Sequence, residues 1–305
     1  MTFRLKILGS NSAAPAFNRH QTSQVLLVNN THFMIDCGEG TQLRLSKSRV
    51  KINKVDHILI SHMHGDHYFG LIGLISTMHL FGRSKDLFIY APSPIEEIIS
   101  LQLKHSETVL NFKIVYIFTD QTENDILFEN KDVIVQKFPL NHRIFCTGFR
   151  FQEKPKKHKI NKLKIPTNLS ISEIAKLKNG EDIFDETGKL LYKNEELTLP
   201  PKKSRSYAYC SDTKYDENIL KYISDVDLLY HEATFANDMA DRAANTYHST
   251  AEQAALMAKK ANAKRLILGH YSVRYRELDP ILEEAKRVFK ESYLAVEGNA
   301  IEIEE

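Results

Sequence analysis

Val55-Asp56-His57-Ile58-Leu59-Ile60 reads as a buried strand, and it runs directly into Ser61-His62-Met63-His64-Gly65-Asp66-His67. This junction constrains the chain more than any other stretch. Side chains alternate along an extended segment, so the imidazoles of His62 and His64 point to the same side. Asp66 and His67 fall where the strand should give way to a loop, from which they can turn toward a second point. One short segment could therefore serve two metal ions. Imidazole and carboxylate suit zinc and similar divalent ions, and donor sets that leave a position open are catalytic rather than structural. A lone histidine would read more simply as a surface residue; this spacing behind a strand does not.

The rest of the chain supplies the body such a segment needs. With 42% apolar and 26% charged residues over 305 positions, it has the makings of a sizeable core. A formal charge of +2 leaves any polyanion site to local clustering. Cys37, Cys146 and Cys210 are odd in number and far apart, which argues against a disulfide framework and fits a reducing, cytoplasmic setting. The opening run Thr2 to Gly9 alternates apolar and basic residues, as a strand does and a signal sequence does not. The longest near-apolar run, Tyr68 to Ile75, is far too short for a membrane span.

Phe3 to Leu8, Gln24 to Val28 and His32 to Asp36 read as strands, the last two joined around Asn29-Asn30. Helical patterns over Thr41 to Ser46, Phe69 to Leu80 and Pro94 to His105 then alternate with strands at 55–60, Leu87 to Ala91, Phe112 to Phe118 and Asp132 to Phe138. Such alternation predicts a layered α/β domain. It breaks from Phe151 to Ser204, where lysines 154, 156, 157, 159, 162 and 164 crowd together, and prolines 155, 166, 200 and 201 punctuate the segment. A short helix from Ser172 to Leu177, capped by Ser170, is expected inside it. Residues 1–150 and 205–305 are thus expected to form one domain and 151–204 an inserted arm. Strands resume at Tyr207 to Ser211, Asp227 to Tyr230, Arg265 to Leu268, Tyr293 to Val296 and Ala300 to Glu304. Between them Ser249-Thr250-Ala251-Glu252 has the form of a capping box opening a helix to Ala261, and another helix is expected over Pro280 to Lys290.

A two-metal site needs more donors, and three polar residues end apolar runs in the right way. His142 follows Val133 to Leu140, Asp212 follows Tyr207 to Ser211, and His270 follows Leu266 to Gly269. Side chains at strand ends converge on the edge of a sheet.

His62, His64, Asp66 and His67, with later His142, Asp212 and His270, resemble the metal-binding pattern of the metallo-β-lactamase superfamily, which implies an αββα sandwich. That match leaves the substrate open, a small-molecule phosphodiesterase or arylsulfatase included. Finer segments are similar to the ribonuclease Z family, endonucleases that remove 3′ trailers from precursor tRNA. They are His231-Glu232-Ala233-Thr234-Phe235, Tyr247-His248-Ser249-Thr250 and Gly269-His270-Tyr271-Ser272-Val273-Arg274-Tyr275. Leu8-Gly9-Ser10, Ala13-Ala14-Pro15 with Arg19, and Asp36 to Gln42 resemble the family's opening.

The resemblance implies two zinc ions per subunit, one on His62, His64 and His142, the other on Asp66, His67 and His270, with Asp212 bridging. Such a pair lowers the pKa of a shared water, whose hydroxide would attack the scissile phosphorus. Asp66 would then be the proton acceptor, His248 the acid for the leaving 3′ oxygen, and Glu232 the group that orients His248. Ser10, Ser272 and Arg274 are candidates for phosphate contact, and Lys156, Lys157 and Lys159 for the tRNA body. The family is usually a homodimer whose arms reach the partner's substrate. One departure stands out: Ile165-Pro166-Thr167-Asn168 occupies the place of the arm's expected Gly-Pro element, although Lys176 to Gly180 fits its tail.

Overall fold

Alternation of apolar residues with period two sorts the strands of the computed structural model onto two faces. Residues 2–122 and 125–304 are described; Met1 and Glu305, the outer ends of the expected domain, lie outside them. The first sheet takes β1 (Phe3–Gly9), β2 (Ser23–Val28), β3 (Thr31–Cys37), β4 (Val55–Leu59), β5 (Leu87–Ala91) and β6 (Ile114–Phe118). The second takes β7 (Ile126–Glu129), β8 (Val133–Pro139) and β9 (Thr147–Glu153). Four short strands follow, β10 (Lys159–Ile160), β11 (Ile183–Phe184), β12 (Leu190–Tyr192) and β13 (Thr198–Leu199). The second sheet then continues with β14 (Ser206–Cys210), β15 (Leu228–Glu232), β16 (Leu266–Gly269) and β17 (Ser292–Leu294), and β18 (Ala300–Glu302) returns to the first. The sheet orders are β18-β1-β2-β3-β4-β5-β6 and β17-β16-β15-β14-β9-β8-β7. In each, an antiparallel portion passes into a parallel one, at β3 in the first and at β14 in the second.

The inward faces meet in one apolar layer. Phe3, Leu5, Ile7, Phe33, Ile35 and Leu59 pack there with Val133, Val135, Phe149, Phe151, Tyr207, Tyr209, Tyr230 and Ile267. The intervening residues point outward under helices: Val55, Ile58 and Ile60 under the helices Leu71–Leu80 and Pro94–His105, Ala208, Cys210, Leu266 and Leu268 under Ala251–Lys260 and Asp279–Val288. Four layers, αββα, result, as the resemblance implied. Ala254, Ala255 and Ala258 let the helix Ala251–Lys260 lie close to its sheet. All three cysteines are buried free thiols. No helix among the described residues is long and apolar enough to cross a membrane.

Several local expectations need correction. The cap of Ala251–Lys260 is Thr250 with Gln253, not Ser249 with Glu252. Ser249 is withdrawn into the interior, where its hydroxyl donates to the Thr213 carbonyl (2.7 Å). Asp66 and His67 lie in the short helix Gly65–Tyr68 rather than in a loop. Strands β7 and β9 were not expected; in β9 only Phe149 and Phe151 mark the inward face, and the polar residues between them hid the period.

The chain divides into two units, residues 1–152 with 205–304, and 153–204. Strand β9 carries Phe151 and Gln152 within the sandwich, and Gln152 pairs directly with Ser206 of β14. Within 153–204, Leu177, Ile183 and Leu197 form a small core of their own. Its helix Ile171–Lys178 is capped by Ser170 and Glu173 in a reciprocal box.

Candidate metal centre

Every expected metal donor sits just beyond the carboxyl end of a strand. His62 and His64 leave β4 on extended backbone, and His64 is the N-cap of Gly65–Tyr68, so Asp66 and His67 occupy the first turn of that helix. His142 follows β8, Asp212 follows β14 and His270 follows β16. His270 takes a positive φ of 61°. The preceding Gly269 has no room for a side chain, since a Cβ there would lie 2.1 Å from the Tyr230 hydroxyl.

The donors fall into two sets. His62 Nε2 and His142 Nε2 lie 3.0 and 3.1 Å from His64 Nδ1, with Asp212 Oδ2 3.6 Å from His62 Nε2. On the other side, His270 Nε2 is 3.4 Å from Asp66 Oδ2 and 3.1 Å from Asp212 Oδ1. His67 Nε2 is 3.5 and 3.4 Å from the same two oxygens. Asp212 thus offers one oxygen to each set. His67 Nε2 and Asp212 Oδ1 are buried without a hydrogen-bond partner. Buried polar atoms left so are costly, and a cation at the convergence point satisfies them. The residues present therefore fit a metal ion in each set.

The electrostatics agree. Burial opposes charge on Asp66, but His67 and His270 hold its carboxyl well below the usual range. Asp212 is likewise held ionised against burial, by His270 and His67. Burial pushes the His62 imidazole down and keeps it neutral, as a ligand must be. His67 goes the other way: the carboxylates of Asp212, Asp66 and Asp36 outweigh its burial and raise it. That opposite direction reflects a nitrogen surrounded by acids, the place a cation would take.

His248 stands over this centre, its ring stacked on that of His270 at 5.5 Å between centroids. Its Nδ1 lies 2.9 Å from Glu232 Oε1. Burial disfavours charge on His248, yet Glu232 and Asp212 raise its pKa to about 9. Glu232, fully buried at the end of β15, also accepts from the backbone of Thr213, Thr234 and Ser249 and from the Thr234 hydroxyl.

The remaining candidates divide. Arg274 is exposed and forms no ion pair among the described residues, and Ser272 accepts from its backbone N–H (3.4 Å). Ser10 is buried with its hydroxyl 3.5 Å from Glu297. Lys156 is largely withdrawn from solvent. Its ammonium lies 3.0 Å from Glu153 with only 9% of the side chain exposed, and a buried carboxylate is costly without a cation beside it. Lys157 and Lys159 are exposed.

Asp36 was missed as a site residue. It lies next to the last residue of β3 at a positive φ of 55° and accepts from Ser61 N–H (2.8 Å), Ser61 Oγ (3.0 Å), Tyr209 OH (2.6 Å) and His67 Nδ1 (2.8 Å). The signal was present: a carboxylate closing the apolar run Phe33-Met34-Ile35, the same cue that marked Asp212. Thr234 was missed as well; its hydroxyl accepts from His270 Nδ1 (2.9 Å) while donating to Glu232.

A two-sheet sandwich with this His/Asp cluster between strand ends defines a hydrolase of the metallo-β-lactamase fold. Family models agree in part, an Anti-Pycsar protein Apyc1 model matching residues 3–159 and a Beta-lactamase superfamily domain matching residues 197–271. The chain is 50% identical to Ribonuclease Z of Cytophaga hutchinsonii over 300 residues, covering 98% of this chain and 96% of that protein. It is 42% identical to Ribonuclease Z of Bacteroides fragilis, covering 99% of each. The crystal structure of human tRNase Z, short form, superposes with a TM-score of 0.70 at 27% identity, covering 99% of this chain and 100% of that one. The chain belongs to the ribonuclease Z family.

Proposed function

We propose that this chain is a zinc-dependent endoribonuclease that removes the 3′ trailer from precursor tRNA, leaving a 3′-hydroxyl on the tRNA and a 5′-phosphate on the trailer. The observation that carries it is the pair of donor sets joined by Asp212, in a chain half identical to a ribonuclease Z along nearly its full length.

His62, His64 and His142 would hold one zinc, and Asp66, His67 and His270 the other, with Asp212 shared. Bound there, the two ions supply a water of lowered pKa and positive charge against the phosphoryl oxygens. Asp66, held ionised, orients the nucleophile and takes its proton. Glu232 fixes the Nδ1–H of His248, which leaves Nε2–H to protonate the departing 3′ oxygen as the P–O3′ bond breaks. Thr234 ties His270 to Glu232, so the metal side and the acid side are held in one register. Ser272 and Arg274 contact phosphate, and Lys157 and Lys159 of the 153–204 unit contact the folded RNA through its backbone.

The same reading takes the enzyme as a cytoplasmic homodimer with two zinc ions per subunit. Buried free thiols support the reducing setting. Incubation with a trailer-bearing precursor tRNA and with a small phosphodiester tests the whole: cleavage of the small ester with none of the precursor would overturn the reading.

A further inference from the structure

On the His142 side, the rim of the centre carries groups that the chemistry above does not use. Tyr247 directly precedes His248 and takes a positive φ of 59°, where a glycine would sit without strain. Its carbonyl, 3.1 Å from His142 Nδ1, accepts that ligand's hydrogen bond, which needs only backbone. The ring does something else: it is 38% exposed and stands edge-on to His142 at 6.5 Å. Its hydroxyl makes no hydrogen bond among the described residues. The exposed Lys214 has its ammonium 5.9 Å from the ring centroid. The exposed Arg143 lies with a guanidinium nitrogen 3.3 Å from His64 Nε2, the nitrogen of that ligand that faces away from the centre.

A solvent-facing aromatic ring with two exposed cations close by is how proteins hold unpaired nucleotides, the ring taking a base and the cations its phosphates. We propose that Tyr247 is a stacking platform for the base on the 5′ side of the scissile phosphate, with Arg143 and Lys214 on the flanking phosphates. The side follows from the proposed function, on which this inference rests. His248 protonates the 3′ oxygen, which belongs to the nucleotide 5′ of the cut, and Tyr247 is its neighbour in the chain. A tyrosine where glycine is favoured, with its ring partly open to solvent, is then explained by what it holds.

The chain contains no tryptophan, so Tyr247→Trp places a single indole at the platform. The zinc-loaded variant is titrated with an acceptor-stem RNA ending at the cleavage site, with and without its last base. Quenching by the intact RNA and none by the base-less RNA is expected. In parallel, Tyr247→Gly, which suits the backbone, should raise KM for precursor about ten-fold with zinc content unchanged. Removing that base from the precursor should cost the wild type the same factor and the glycine variant nothing more. Equal quenching by both RNAs, or equal losses of wild type and variant on base removal, overturns the platform. Should the wild type leave precursor tRNA uncut while the indole still distinguishes the two RNAs, the proposed function falls and the platform stands.

Discussion

The carboxylate of Glu232 and the imidazole of His248 form a buried pair at 2.9 Å, and Glu232 is held by four further donors that leave it no freedom to turn away. The histidine is thereby fixed in orientation and charge at once. A group whose pKa is raised keeps its proton below the raised value and loses it above. With His248 at about 9, the acid role proposed for it would be fully supplied at neutral pH and fade as pH climbs toward that value. A metal ion held by Asp212 would offset part of the upward shift and place the basic limb at or below 9. Glu232→Gln keeps an acceptor and removes the charge, so the limb should move to lower pH and the rate at pH 8 should drop about ten-fold or more. A pH–rate profile of kcat with an unmoved basic limb would refute the pairing.

Asp212 contributes to both donor sets, and Asp212→Ala should release zinc from both. Elemental analysis should find one ion or fewer per subunit, and cleavage should fall by about a thousand-fold or more, the order of several kcal/mol of lost metal stabilisation. Full zinc occupancy would contradict the shared role.

Asp36 accepts from four buried donors and sits at a positive φ, which alanine tolerates poorly. Stranding those donors should lower the stability of Asp36→Ala by about 3 kcal/mol or more. Because His67 also loses the partner that sets its tautomer, zinc affinity should fall about 10- to 100-fold. Urea unfolding and competitive zinc titration measure the two effects separately.

Lys156 and Lys157 are neighbours with different expected fates. Lys157→Ala together with Lys159→Ala should weaken precursor binding and flatten its dependence on salt, with the slope smaller by about two. Lys156→Ala should instead loosen the 153–204 unit, detected as faster proteolysis there, because the buried Glu153 loses the ammonium held 3.0 Å from it.

Gln152 and Ser206 are paired residues on adjacent antiparallel strands, so Glu153 and Arg205 come next in register and residues 154–204 can be replaced by an Asn-Gly turn. The shortened protein should hydrolyse a small phosphodiester at the wild-type rate and lose precursor processing. Equal losses on both substrates would show that the unit is structural.

The catalytic half of the molecule was legible because metal donors must be polar and must stand at strand ends, and a polar residue closing an apolar run is visible in one dimension. His142, Asp212 and His270 were found that way. Asp36 obeys the same rule but was overlooked because it binds a ligand, His67, and no metal. Ser249 and Thr250 both fit a cap, and burial of the first, which only the folded chain reveals, chose the second. Lys156 reads as one lysine among many; its pairing depends on Glu153 being buried. The exposed ring of Tyr247 left no trace at all, since exposure and positive φ are properties of the fold.

Each donor set draws on both sheets: His62 and His64 meet His142, and Asp66 and His67 meet His270, with Asp212 common to both. The centre therefore cannot exist on a half-made molecule. Along the chain the first four candidate donors, His62, His64, Asp66 and His67, come close together, and His270 follows far later. Metal capture would thus depend on completion of the fold, since the two donor sets come together only when both halves of the sandwich have closed.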